Sequence, residues 1–250
     1  MNRDVQDNLL LLTGAAMLAV GLSDVHLRYV KPAMQPLVVL SGVVLLAFGL
    51  RGLVRIVRDI RADDSDLRTA GAAPGDDDDA QDPHGHGSTG TAWFLALPLL
   101  VLCLLSPPAL GAYTAARSDT ALPEPDGAFE PLPPARDGAV DLTLSEYYLR
   151  VQHDPASLSG ARVRLTGFVT PMQDRWFVTR IALACCAADG QPVKILAAGP
   201  GAVRAPSGNT WVEVVGRYGP PEVLPDADVS VASLVLEQLR VVDEPRVPYE

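Results

Sequence analysis

Cys185 and Cys186 stand side by side in the run Arg180-Ile-Ala-Leu-Ala-Cys-Cys-Ala-Ala-Asp189, and the whole chain has three cysteines. Neighbouring Cα atoms across a trans peptide are about 3.8 Å apart, short of the roughly 4.4 to 6.8 Å that a disulfide spans. A bond between these two would be strained and easily reduced. As thiolates they suit a soft metal or metalloid ion instead, but on a regular strand their side chains point to opposite faces. Chelation therefore requires the strand to break there, and Ala188-Asp189-Gly190 with Pro192 predicts such a break. Asp189 either bonds the backbone of that turn or helps to hold a cation beside the thiols. Arg180 either pairs with Asp189 or lines the surface of the domain. The plainest alternative is that both cysteines pack as small apolar residues.

A second group of candidate ligands, Asp82, His84 and His86, lies in the stretch 62–90. Imidazole and carboxylate suit borderline divalent cations, but this segment is rich in Asp, Gly and Ala and lacks the apolar periodicity of a core. It reads as a disordered, acidic, cation-collecting linker that binds weakly. His26 and His153 are isolated in sequence.

Composition locates these groups. The chain is 48% hydrophobic with a net charge of −10, and Asp63, Asp64, Asp66, Asp76, Asp77, Asp78, Asp79 and Asp82 all fall in that linker. The acidity is thus largely local, and no basic face exists to bind nucleic acid. Apolar residues concentrate before position 117 and predict three membrane helices by the rule that about 20 apolar residues cross the hydrocarbon core. They are Asn8 to Leu22, Ala33 to Val54, and a third span within 91–116 that begins near Thr91 and carries Pro98 and Pro107-Pro108. Two spans therefore occupy 1–61. Cys103 lies in the third and is expected to pack.

Arg3, Arg51, Arg55, Arg58, Arg61 and Arg68 flank one side of these spans, whereas Arg28, Lys31 and Arg117 flank the other. Cytoplasmic loops are enriched in Lys and Arg, which puts the N-terminus and the acidic linker in the cytoplasm and the C-terminal domain outside. The protein is thus expected in the cell membrane, in contact with the bilayer, with its cysteine pair in an oxidising compartment.

The stretch 117–138 contains Pro123, Pro125, Pro131, Pro133 and Pro134 and reads as a semi-rigid spacer holding the last domain off the membrane. The domain at 139–250 opens with Ser145 as N-cap of a short helix, Glu146 to Gln152. Five β-like runs follow: Arg162 to Val169, Trp176 to Ala184, Val193 to Ala197, Trp211 to Tyr218 and Ser233 to Val242. Val163, Leu165, Gly167 and Val169 alternate with Arg162, Arg164, Thr166 and Phe168 at period two. The expected fold is a membrane α-helical region plus an all-β small barrel of the oligonucleotide/oligosaccharide-binding type with one short helix. Trp176 and Trp211 are expected in its core.

The chain resembles a family of bacterial permease subunits, small membrane proteins with a C-terminal domain of unknown function that accompany a large permease. The residues that carry the likeness are Tyr29-Val30-Lys31-Pro32, Pro107-Pro108-Ala109-Leu110-Gly111, Leu165-Thr166-Gly167-Phe168-Val169, and Arg180 to Asp189 with its Cys-Cys-Ala-Ala-Asp. The resemblance implies an accessory role beside that permease, whose own family looks like the organoarsenical efflux permeases.

No Gly-rich phosphate loop, His-Glu-x-x-His helix or Gly-x-Ser-x-Gly elbow is present, so no enzyme is expected. Three classes stay open. The first is a transport accessory presenting Cys185, Cys186 and Asp189 to a larger permease subunit. The others are an extracytoplasmic thiol-redox protein and a purely structural subunit. A redox protein usually presents Cys-x-x-Cys on a βαβ scaffold, which this sequence lacks.

Overall fold

A computed structural model describes residues 3–69, 108–125, 127–202, 204–223 and 230–250. The chain forms two compact units, one from 1–26 and 33–107, the other from 27–32 and 108–250. Asp82, His84, His86, Cys103 and positions 91–107 of the expected third span lie outside the described residues.

In the first unit, helix α1 (Arg3–Leu22) packs antiparallel on helix α2 (Gln35–Thr69). Their seam is made of glycine. A Cβ on Gly14 would stand 2.8 Å from the Leu46 nitrogen and 2.9 Å from the Gly42 oxygen, and one on Gly42 would stand 2.9 Å from the Leu18 side chain. Gly49 faces Leu11 and Gly21 faces Val39 in the same way. Small residues let helix backbones approach closely, and here four of them close the chain on itself. Gly14→Val should force the helices apart at a cost of about 1 to 3 kcal/mol, read as a lower unfolding midpoint in detergent.

The N-terminal part of α2 exposes Leu37, Leu40, Val43, Phe48, Leu50 and Leu53. Pro32–Arg55 has a mean hydropathy of 2.3 and 17% of it is buried. Among the described residues it is the one helix long and apolar enough to cross a membrane, not three. Gln6–Leu22 is apolar but shorter. Helix α2 also continues through Thr69, into the segment expected to be disordered from 62 onward.

In the second unit, a one-turn helix α3 (Ala112–Ala115) is followed by β1 (Val140–Asp141) and helix α4 (Leu144–His153). The strands β2 (Arg162–Met172), β3 (Arg175–Ala182), β4 (Gln191–Ala198), β5 (Trp211–Val223) and β6 (Ser230–Val241) then form a closed barrel, in the order β2-β3-β4-β6-β5 and back to β2. All neighbours are antiparallel except β4 with β6, and β1 adds to β2 in parallel. This is the five-stranded barrel with a short helix that the alternation predicts. Strand β2 serves two partners, pairing with β5 from Arg162 to Phe168 and with β3 from Phe168 to Met172. Gly167 sits at the changeover, where a Cβ would lie 2.5 Å from the Thr179 oxygen, so the strands can coil this tightly only without a side chain.

Val163, Leu165, Val169, Trp176, Val178, Val193, Ile195, Val212, Val214 and Leu234 fill the barrel, and Leu144, Tyr147 and Val151 of α4 pack against them. Trp176 also donates its indole N–H to the Ala202 oxygen at 2.9 Å. Trp211 belongs to a second, outer cluster, edge-on to Phe168 at 5.6 Å between ring centroids. The N-cap of α4 is Thr143, not Ser145: its hydroxyl accepts from the Glu146 N–H at 3.0 Å. Ser145 instead gives its N–H and hydroxyl to the Glu250 carboxylate at 2.9 and 2.8 Å, and Leu144 N–H joins them at 2.9 Å. An acid at a helix N-terminus satisfies donors that the helix cannot.

The proline-rich stretch 117–138 is a belt on the barrel rather than a spacer. Leu122 and Leu132 pack against the core. Buried Lys194 donates Nζ to the Ser118 oxygen at 2.7 Å, and Arg150 donates to the Glu130 oxygen at 2.7 Å while lying over the Phe129 ring. Proline fixes the extended backbone, and these cations draw its carbonyls onto the domain.

Candidate thiol site

Strand β3 ends at Ala182, and the chain then turns through Leu183–Gly190 before β4. The break predicted from Asp189-Gly190 and Pro192 is there. Asp189 builds it. One carboxylate oxygen accepts the Ala184 N–H at 2.8 Å, and the other accepts those of Cys185 at 2.8 Å and Cys186 at 3.1 Å. Three successive amides thus converge on one anion, which folds the strand end back and brings the two sulfurs to one side. Both Sγ atoms and a carboxylate oxygen lie within 4.8 Å of one another. Cys185 is exposed, Cys186 is half-buried, and both are free thiols.

The electrostatics follow from the same bonds. The Cys185 thiol beside it, together with those backbone amides, holds the Asp189 carboxyl down at about 2. In return the hydrogen bond to Asp189, and then that to Cys186, pushes the Cys185 thiol up to about 12. Cys185 is therefore a protonated thiol throughout the neutral range, unlike the low-pKa thiolates of reactive cysteines. A bound cation reverses that logic, because it replaces the proton.

Remote segments complete the site. Val30 pairs with Cys186 as an antiparallel bridge, with Lys31 N–H on the Cys185 oxygen at 3.1 Å and Ala187 N–H on the Tyr29 oxygen at 2.7 Å. The connection between α1 and α2 is thus an edge strand for the cysteine turn. On the other side, a Cβ on Gly190 would lie 3.0 Å from Leu110, whose N–H donates to the Tyr249 hydroxyl at 2.8 Å. That hydroxyl in turn donates to the Arg28 oxygen at 3.0 Å. Tyr29-Val30-Lys31, Leu110-Gly111 and Cys185 to Asp189, distant in sequence, meet in one place.

Arg180 is placed elsewhere. Its guanidinium donates to the Thr166 oxygen at 3.3 Å and the Val247 oxygen at 2.7 Å and lies 5.4 Å from the Trp211 ring centre. Of the two roles open to it, pairing with Asp189 or lining the surface of the domain, these contacts fit the second, and Arg180 ties the segment before Tyr249 to the barrel. Sequence reasoning missed Tyr249 and Glu250. Neither carries a motif, and a tyrosine that bonds two backbone groups has no spacing to betray it.

Residues 140–250 match the DUF1980 C-terminal domain, whose function is unknown. The match covers the barrel and the cysteine turn but not Leu27–Pro32 or Pro108–Ala139, which the fold adds to the same unit. No curated protein and no solved structure matches the chain.

Proposed function

We propose that this chain is an accessory subunit of a larger membrane permease and presents a two-thiol site for a soft metal or metalloid ion on an extracytoplasmic barrel. The observation that carries the reading is the backbone bridge from Val30 to Cys186, because it makes the thiol turn one body with the connection between the two N-terminal helices. A thiol site joined in this way to an apolar hairpin belongs at a membrane surface. The barely buried, apolar span Pro32–Arg55 supports the same setting, and it carries no ionisable group before Arg51 of the kind that lines a pathway. The pathway is therefore supplied by another chain. The protonated Cys185 speaks against the thiol-redox alternative, since a thiol, not a thiolate, is a poor nucleophile.

Orientation follows by parity. Leu27–Pro32 and the barrel share one unit, so a membrane crossed by α2 leaves both on one side and Thr69 on the other. The arginines from Arg51 to Arg68 put Thr69 in the cytoplasm. Reporter fusions at Gly75 and after Glu250 should report opposite sides; the same side for both would overturn the topology. For the role itself, the permease should co-purify with this chain in mild detergent. The Cys185→Ala, Cys186→Ala double variant should lose resistance or uptake in the intact operon under metal or metalloid stress. Full transport by this chain alone in vesicles, or a double variant indistinguishable at equal protein level, would sink the proposal.

A further inference from the structure

We infer that the ion taken by the cysteine turn is a monovalent d10 cation of the copper(I) class, held by the two sulfurs alone, with Asp189 as a positioning residue. This rests on the reading that the thiols bind an ion, and it deepens that reading to a coordination chemistry.

The donor count decides against a closed four-ligand site. Among the described residues, Cys185, Cys186 and Asp189 form the one group of three His, Cys, Asp or Glu side chains close enough to share an ion. Of these, Asp189 is already committed. A carboxylate has about four lone-pair sites, and three accept backbone N–H groups of the turn itself. Turning it onto an ion would strip those amides of their acceptor and dissolve the geometry that brings the sulfurs together. The neighbours Ala184, Ala187 and Ala188 offer no donor side chain.

Two sulfurs remain, and one ion can reach both. A metal–thiolate bond is about 2.3 Å long, so sulfurs on opposite sides of one ion stand about 4.6 Å apart. The Sγ atoms lie within 4.8 Å of each other, close enough for one ion to bond both. Zinc prefers four tetrahedral ligands, and calcium and magnesium want oxygen. Soft thiolates in a low-coordinate set select copper(I).

Loading balances simply: two S–H bonds break, two metal–sulfur bonds form, two protons leave to solvent, and no electron moves. Because Cys185 is exposed, the ion keeps an open side at which an incoming thiolate or thioether can attack. The site is built to hand its ion on rather than to store it.

The test uses the reduced full-length chain in mild detergent, with Cys103→Ala to remove the third thiol and Ag(I) as a redox-stable probe. One Ag(I) should bind per chain, with two sulfurs and no nitrogen or oxygen in its first shell by X-ray absorption, and a large excess of Zn(II) should not displace it. Cys185→Ser and Cys186→Ser should each abolish this binding. Asp189→Asn should keep the two-sulfur shell but weaken affinity by about 10- to 100-fold, as loss of an outer-shell partner does. No bound Ag(I), displacement by Zn(II), an oxygen in the shell that disappears in Asp189→Asn, or stoichiometry indifferent to the cysteine changes would each overturn the inference. Two-sulfur binding without any co-purifying permease would leave this chemistry standing and defeat the subunit role; a co-purifying permease with no Ag(I) bound would do the reverse.

Discussion

Replacing Asp189 by alanine should make Cys185 faster to alkylate near pH 8, with the alkylated residue identified by peptide mass spectrometry in a chain that keeps Cys186. The hydrogen bond to Asp189 is the main cause that holds this thiol at about 12, so it ionises only at strongly alkaline pH. Without the carboxylate it returns towards its ordinary value of 9.0. The thiolate fraction at about pH 8 then rises by more than the lower basicity of the sulfur reduces the nucleophilicity of each thiolate, leaving a net gain. The sign is fixed by geometry: an anion beside a thiol favours the proton. A rate that does not change would mean that Asp189 does not govern Cys185.

The second large effect is on stability. Arg150 is 2% exposed and pairs with Glu146 at 2.8 Å. It also reaches the Ser157 hydroxyl at 3.2 Å and the Glu130 oxygen at 2.7 Å. Arg150→Ala removes the clamp between α4 and the proline-rich belt and should cost about 3 kcal/mol, the lower end for a broken buried pair because Glu146 can return to water. Arg150→Met keeps the buried stem and should recover part of this loss. Tryptophan fluorescence during denaturation reads the midpoint, and limited proteolysis around Phe129 reads release of the belt. A belt that stays protected in Arg150→Ala would show that Leu122 and Leu132 suffice to hold it.

The barrel was legible because burial leaves a period-two trace: Val163, Leu165 and Val169 alternate with half-buried or outer residues, and each predicted strand overlaps the observed one. The belt was not, for a physical reason. Its contacts are the carbonyls of Ser118 and Glu130, and every residue type has a carbonyl, so proline content alone read as a spacer. Thr143 and Ser145 are both good caps, and the choice fell to the one whose hydroxyl meets the Glu146 amide. At the thiol turn, the nearby Asp-Gly and Pro192 pointed to the break in the strand. The docking of Tyr29–Lys31 is backbone pairing between distant segments, which leaves no side-chain pattern to read.

The Tyr249 hydroxyl bonds the Arg28 oxygen across 221 positions of sequence. At about 5 to 20 residues per second, a ribosome needs roughly 10 to 45 s to travel that distance. For all of that time the connection between the first two helices has emerged while its partners, the cysteine turn and Tyr249, do not yet exist. Contacts of such long range form late and slowly, since the chain must close a very large loop before any bond repays it. The thiol turn is consequently among the last parts of the molecule to acquire its shape, and during synthesis the early hairpin connection is a bare edge, open to chaperones or to an assembling neighbour.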